Sequence, residues 1–283
     1  MIYDINGNEL NAIYSKSGGV DVGYDVEGNQ VFPSSPLVQT LKVMTYNVLR
    51  WEGYNSQKSI QDIAFGSNAD IIGIQEWGYT EAKTIGGTNC ISYLNGFGYD
   101  NVRVTSADYN HKAMASKYEL TDYSETVFNQ SIETRSYTKC YINVGNKRIA
   151  LFNTHTDYQI NSSVKFAQIQ ELLSAVSNEP YFILFGDLNT TCTNKSEAEY
   201  LNCVQPFIDA GYNVANSPTG SELIWTYYNG KTVAESTQIT PPDNIITSPN
   251  IEISNVETID TKLSASGAYV IDHLPLMVSL VFN

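Results

Sequence analysis

The sequence predicts an α/β fold in which two packed β-sheets are flanked by helices. Two observations predict it. From Leu41 onward, apolar runs of strand length recur, and stretches with helical spacing separate them. With 42% hydrophobic and 16% charged residues, the 283-residue chain has enough apolar side chain for a sizeable core.

The strands follow in order. Leu41 to Val48 reads as the first and Ile71 to Ile74 as a short buried one. Tyr99 to Val104, Ala113 to Ser116, Tyr137 to Val144, Arg148 to Asn153 and Tyr181 to Phe185 come next, and Leu276 to Phe282 ends the series. Asp243-Asn-Ile-Ile246 has the makings of another. Between strands, Val164, Ala167, Ile169, Leu172, Leu173 and Val176 recur at helical spacing, which predicts a helix over Ser163 to Val176 behind an Asn/Ser cap.

The first 40 residues differ. Tyr3-Asp-Ile-Asn-Gly-Asn-Glu-Leu10 recurs as Tyr24-Asp-Val-Glu-Gly-Asn-Gln-Val31, with Tyr14-Ser-Lys-Ser-Gly18 as a degraded copy between them. Asn-Gly and Glu-Gly between short strands mark tight turns, so residues 1–40 read as a small β-hairpin segment with Pro33-Ser-Ser-Pro36 as linker, and 41–283 as the main domain. No apolar run approaches the roughly 20 residues needed to cross a bilayer. The N-terminus has neither the basic nor the apolar region of a secretion signal. Abundant Asn and 20 Tyr give an extracellular flavour that leaves compartment open. The cysteines (Cys90, Cys140, Cys192, Cys203) contain no CxxC pair, which argues against structural zinc; Cys192 and Cys203 are spaced for a disulfide, or all four are buried thiols. Lys and Arg total 16 against 30 Asp and Glu, a formal net charge of −14, which argues against affinity built on neutralising many phosphates with the chain's own cations.

The informative polar residues terminate apolar strands. Asn47 ends the first, and Glu76 follows Ile71-Ile-Gly-Ile-Gln75. His155 follows Ile149-Ala-Leu-Phe-Asn-Thr154. Asp187 and Asn189 follow Tyr181-Phe-Ile-Leu-Phe-Gly186, and residues two apart on an extended chain share a side. Asp272-His273 precedes the last strand, and Asp243 opens its own. The five boundaries carrying Asn47, Glu76, His155, Asp187-x-Asn189 and Asp272-His273 describe one polar site at one edge of the sheets. Carboxylate and amide oxygens suit Mg²⁺ or Mn²⁺ better than Zn²⁺. Trp51, Trp77 and Tyr79 follow two of these motifs and offer either rim aromatics for sugar or base, or packing.

In this ordered set the sequence resembles the endonuclease/exonuclease/phosphatase superfamily, the deoxyribonuclease I-like proteins. The pieces are Thr45-Tyr-Asn-Val48, Ile74-Gln-Glu76, Asn153-Thr-His155, Gly186-Asp-Leu-Asn189, Asp243-Asn-Ile245 and Asp272-His-Leu-Pro275. Glu133-Thr-Arg135 and Lys165-x-x-Gln168 also fall in place. The resemblance implies a four-layer sandwich of two mostly antiparallel sheets flanked by helices. It implies a metal-dependent phosphoesterase, foremost a non-specific nuclease holding nucleic acid weakly, with an inositol phosphatase, a sphingomyelinase or an inactive binding module as alternatives. Carried over, Asn47, Glu76 and Asp272 hold Mg²⁺ or Mn²⁺. Asp187 and Asn189 position the attacking water and the phosphate. His273, oriented by Asp243, acts as general base or polarising imidazole, and His155 donates to the phosphate or leaving group. Arg135 joins Asn189 and His155 in binding substrate. Two departures stand out: Asn244 replaces the usual aromatic or His after Asp243, and Lys112 replaces a small residue before Ala113. The carboxylate expected near Asn110-His111 to support His155 is absent.

Overall fold

The computed structural model describes residues 40–51, 54–78, 84–107, 110–217, 222–228, 239–261 and 272–282, with short strands among residues 2–31. Those early strands pair antiparallel: Ile2–Tyr3 with Glu9–Leu10, and Val20–Tyr24 with both Ser15–Ser17 and Gln30–Val31. Tyr79 and the 33–36 linker lie outside the described residues.

Two six-stranded sheets form the main body. The first contains β1 (Thr40–Asn47), β2 (Ile71–Gln75), β3 (Asn101–Val104), β4 (Ala113–Ser116), β11 (Ile251–Thr258) and β12 (Leu276–Phe282), in the order β3-β4-β2-β1-β12-β11. The second contains β5 (Thr121–Val127), β6 (Ser136–Val144), β7 (Lys147–His155), β8 (Phe182–Asp187), β9 (Asn213–Val214) and β10 (Asp243–Thr247), in the order β5-β6-β7-β8-β10-β9. Each sheet is antiparallel except for one inner parallel pair, β1 with β2 and β7 with β8. Helices α1 (Tyr54–Phe65) and α2 (Cys90–Asn95) accompany the first sheet. Helices α3 (Ser163–Val176), α4 (Ala198–Cys203) and α5 (Gln205–Asp209) accompany the second.

Three apolar clusters make this four layers. Val43, Ile71, Ile183, Phe185, Ile245 and Val278 pack between the sheets. Met44, Tyr46, Ile72 and Ile74 pack outward with Phe65 and Leu94. Phe152, Phe182, Leu184 and Ile246 pack outward with Ile169 and Leu172. Period-two alternation sorts each strand between an inner and an outer face. Gly73 is required on the inner face, because a Cβ there would sit 1.9 Å from the Phe185 ring. Gly186 faces the other way, where a Cβ would lie 2.3 Å from the Thr154 carbonyl oxygen.

Toward one end the inner face turns polar and binds the sheets together by hydrogen bonds. Thr45 Oγ1 donates to Gln75 Oε1 at 3.2 Å, and Gln75 Nε2 donates across the gap to Asn153 Oδ1 at 2.7 Å. Asn153 Nδ2 returns to the carbonyls of Ile74 (3.2 Å) and Ala113 (2.8 Å). All three side chains are buried, so each lost partner would strand a desolvated group.

All four cysteines are buried and none is in a disulfide, so the disulfide alternative for Cys192 and Cys203 is not realised. Trp51 and Trp77 are core rather than rim: both are fully buried, edge to face at 5.3 Å, with Trp51 also against Phe65.

The inter-sheet contact at Gly73 gives a direct test. Gly73→Ala should lower stability by about 2–3 kcal/mol through overpacking, read as a lower urea midpoint. Phe185→Leu in the same chain should restore part of that loss. Equal midpoints for wild type and Gly73→Ala would contradict the packing described.

Candidate active site

The residues that close the inner face form the site. On β1, Leu41 and Val43 are inter-sheet core; continuing on the same face brings Thr45 and then Asn47. On β7 the series is Ile149, Leu151, Asn153, His155, and on β8 it is Ile183, Phe185, Asp187. Register aligns the ends, with Asn47 opposite Gln75, His155 opposite Asp187, and Asp187 opposite Asp243.

Asp187 is the meeting point. Its Oδ2 accepts from Asn47 Nδ2 at 3.0 Å and lies 3.5 Å from His155 Nε2 and 3.7 Å from His273 Nε2. Its Oδ1 accepts the Asn189 backbone N–H at 2.7 Å. Burial raises the Asp187 pKa and neighbouring Asp243 adds to the rise, while His273, Asn47 and the Asn189 N–H oppose it. Asn189 reaches this place differently from the expected extended chain. Its φ is 49°, a left-handed turn, and its side-chain Nδ2 donates to the Thr156 carbonyl at 2.8 Å, so its backbone rather than its amide meets Asp187. Lys165 Nζ holds the Asn189 carbonyl at 2.8 Å and pairs with buried Glu199 at 2.6 Å.

The two histidines are held in opposite charge states. His273 Nδ1 bonds Asp243 Oδ2 at 2.8 Å. Burial alone would push this imidazole down, but Asp243, with Asp187 and Asp272, outweighs burial and raises it to about 10. His155 is pushed well below 6.5 by burial, with Arg135, Lys112 and His273 adding positive potential. Arg135 Nη1 lies 2.9 Å from His155 Nδ1, and a guanidinium can only donate. Nδ1 therefore carries the lone pair, and the ring proton sits on Nε2, aimed at Asp187. Arg135 stands where a supporting carboxylate was missing. It is nearly fully buried and also bonds Glu133 Oε2 at 3.0 Å, so its guanidinium meets the site through His155. Lys112 is buried as well, donating to Ser136 Oγ at 2.8 Å; burial lowers its pKa to about 7. Asn244 is buried on structural duty, with Oδ1 accepting the Asn216 N–H at 3.0 Å.

Glu76 follows β2 with φ 52°, and Leu49, Arg50 and Trp51 beside it are also left-handed, at 45°, 55° and 57°. Such non-glycine turns cost free energy and gather where a site requires them. Glu76 Oε1 accepts from Asn47 Nδ2 at 3.2 Å, and Arg50 Nε lies 3.8 Å from Oε2. Asn47 acts here as a donor bridging two carboxylates, with its Oδ1 accepting the Leu49 N–H at 3.0 Å. A pocket of about 510 Å³ opens above, with Glu76, Asp187, Asp272 and His273 among its lining.

The donor set fits a divalent cation. Burial raises the Glu76 pKa, and Asp187 and Asp272 add to the rise, as crowded carboxylates do without a counter-charge. Asp272 Oδ1 and Asp243 Oδ1 are buried without a hydrogen-bond partner. Asp187, Asp243 and His273 also offer atoms within 4.8 Å of one another. The short bond between His273 Nδ1 and Asp243, on an imidazole whose pKa that carboxylate raises, reads more simply as an ion pair, because an imidazole that ligates a metal must be unprotonated.

A family model described as the Endonuclease/Exonuclease/phosphatase family matches residues 44–264. The chain belongs to this family. Comparison with curated proteins finds no match. Among solved structures, zebrafish (D. rerio) TDP2 complexed with a single-strand DNA product has a TM-score of 0.66 at 15% identity, covering 86% of this chain and 99% of that one. Endonuclease/exonuclease/phosphatase proteins from Bacteroides vulgatus (TM-score 0.66, 15% identity, 87% and 100% covered) and Bacteroides thetaiotaomicron (0.63, 15%, 88% and 100%) are similar too. At these identities the likeness is of fold, and the two packed sheets with flanking helices are the fold shared.

Sequence reading missed several members of the site. Gln75 and Asn153 are the cross-sheet bonds beneath it. Arg50 stands three residues beyond Asn47, and Tyr158 and Ile160, just after His155, line the pocket. Gln75 and Asn153 lay within quoted motif pieces, on the inward alternation of β2 and β7, while Arg50, Tyr158 and Ile160 had only adjacency to a motif.

The opposite histidine states are open to measurement. In imidazole ¹⁵N spectra of the metal-free protein between pH 7 and 9, His273 should stay cationic, losing its proton near pH 10. His155 should stay neutral with its proton on Nε2, gaining charge only well below pH 6.5. Two rings titrating together near 6.5 would contradict the assignment.

Proposed function

We propose that this family member is a divalent-metal-dependent phosphodiesterase acting on nucleic acid, with residues 41–283 as its catalytic unit and 1–40 as a separate hairpin segment. One observation carries the reading: two imidazole Nε2 atoms, from His155 and His273, converge on one carboxylate oxygen, at 3.5 and 3.7 Å, beside a pocket lined by further carboxylates.

A phosphodiester oxygen is an acceptor that gains charge as water attacks, and both Nε2–H groups are donors fixed before reaction. His273, protonated on Asp243, also brings positive charge to that oxygen. Asp187, held by Asn47 and the Asn189 N–H, accepts from the attacking water and aligns it. Arg135 keeps the His155 donor facing inward. Glu76 and Asp272, with Asn47 beside them, would hold a Mg²⁺ or Mn²⁺ ion, which supplies Lewis-acid polarisation of the phosphoryl group when bound.

Substrate class rests on two supports. The similar zebrafish TDP2 was crystallised with a single-strand DNA product. The charge of −14 favours a substrate held at few phosphates over one gripped along a duplex. No helix among the described residues is long and apolar enough to cross a membrane.

A panel tests this: plasmid DNA, single-stranded DNA, RNA, bis-p-nitrophenyl phosphate, an inositol phosphate and sphingomyelin, each with Mg²⁺, Mn²⁺ or EDTA. Nucleic acids and the activated diester should be hydrolysed with metal and spared with EDTA. Glu76→Gln should lose roughly 10³-fold in turnover while keeping its circular dichroism, because the amide removes the charge a cation needs. Unchanged turnover in Glu76→Gln would overturn the metal assignment. Turnover of an inositol phosphate or sphingomyelin alone would overturn the nucleic-acid reading.

A further inference from the structure

We infer that Tyr158 and Ile160 form a nucleobase platform, an uncharged subsite for a base next to the scissile phosphate; this rests on the phosphodiesterase reading above. Among the described residues these are the two most exposed large hydrophobic side chains, at 53% and 58%. Both line the pocket that holds Glu76, Asp187 and His273. Exposed apolar groups scattered over a surface need no explanation, but the two most exposed ones meeting at the mouth of a polar pocket do.

The segment that carries them is tied at both ends by buried groups. At its start, Asp157 is fully buried; its N–H donates to Gln168 Oε1 at 2.9 Å, and its Oδ2 accepts from Gln168 Nε2 at 2.7 Å. Asp157 Oδ2 also accepts the Ile132 N–H at 3.0 Å. At its end, the Asn161 N–H bonds Glu199 Oε1, and Glu199 is the buried partner of Lys165. The same Lys165 grips the Asn189 carbonyl, so one ion pair fixes this ledge relative to the loop that braces Asp187. The backbone that presents these two apolar side chains to solvent is thus anchored on both sides, which lowers the ordering cost of a contact there.

The chemistry of the surroundings selects the ligand. No lysine or arginine is among the described residues lining the pocket, so the part of the substrate beyond the reacting phosphate meets no cation there. What it meets is the Tyr158 phenol ring and the Ile160 sec-butyl side chain, with Tyr227, Pro242, the Gln159 amide and the Thr191 and Thr240 hydroxyls also in the lining. A base has a flat apolar face to stack and an edge of donors and acceptors. An acyl chain would need a continuous apolar track, and here polar groups interrupt it. About 510 Å³ exceeds what a phosphate alone fills and lies in the range of pockets that take a small organic group. A stacked base must also be free of its complementary strand, so the site takes single strands in preference to duplex.

The test is a cycle between protein and substrate, run with Mg²⁺ on a short single-stranded oligonucleotide and on the same strand with abasic positions flanking one cleavage site. In wild type, removing the bases should lower kcat/KM about tenfold. In the Tyr158→Ala/Ile160→Ser variant, the two substrates should be cleaved at equal rates, and Tyr158→Phe should restore the preference for the strand with bases. The KM of the intact strand should also vary little with salt in wild type, since the platform carries no charge. If wild type cleaves both strands and base removal is additive with the substitutions, the platform is wrong and the phosphodiesterase reading stands. If wild type cleaves neither strand, whatever it does to inositol phosphate or sphingomyelin, both fall together.

Discussion

The site depends on the Asp187 carboxylate being shared between two sheets. Asn47 reaches it from the first sheet, the Asp187 backbone belongs to the second, and His155 and His273 approach its Oδ2 from β7 and from the residues leading into β12. A buried carboxylate is costly unless donors and cations surround it. Here those donors come from four different segments, so the sheets must be in register before Asp187 can be satisfied. The Thr45, Gln75 and Asn153 bonds beneath it impose that register, and Gly73 against Phe185 sets how closely the sheets approach.

The same alternation that builds the core also delivers the chemistry, which explains how much was legible in the sequence. Ile149 and Leu151 are core because they face inward, and Asn153 and His155 face inward for the same reason, two and four residues later. Strand ends carrying Asn, Asp or His were therefore readable as one site, and Ala113–Ser116, Ser163–Val176 and Leu276–Phe282 have the bounds that periodicity gave them. What could not be read depends on backbone direction or on distant partners. The left-handed turn at Asn189 swaps amide for backbone. Trp51 and Trp77 follow the motifs but turn outward beneath α1. Arg135 is twenty residues from the histidine it holds, and no local pattern pairs them.

Charge distribution links the fold to the substrate. A surplus of acid over base is an obstacle to binding phosphate esters, and the pocket adds the carboxylates of Glu76, Asp187 and Asp272 with no lysine or arginine among its described lining residues. Three of the chain's cations are committed inside, Arg135 to His155 and Glu133, Lys165 to Glu199, and His273 to Asp243, and Arg50 stands beside Glu76. They set orientation and proton position, and under the function proposed above the binding of charge would fall to a metal ion at Glu76 and Asp272. The account then expects affinity that rises with metal and changes little with salt, the opposite of a protein that tracks a nucleic-acid backbone.

The most direct measurement is a crystal structure with Mn²⁺, located by its anomalous signal, and a non-hydrolysable phosphorothioate dinucleotide. The account predicts the ion bound to Glu76, and the phosphoryl group beside Asp187 within hydrogen-bond reach of the Nε2 atoms of both His155 and His273. A phosphoryl group bound elsewhere, or an ion that leaves Glu76 untouched, would contradict it.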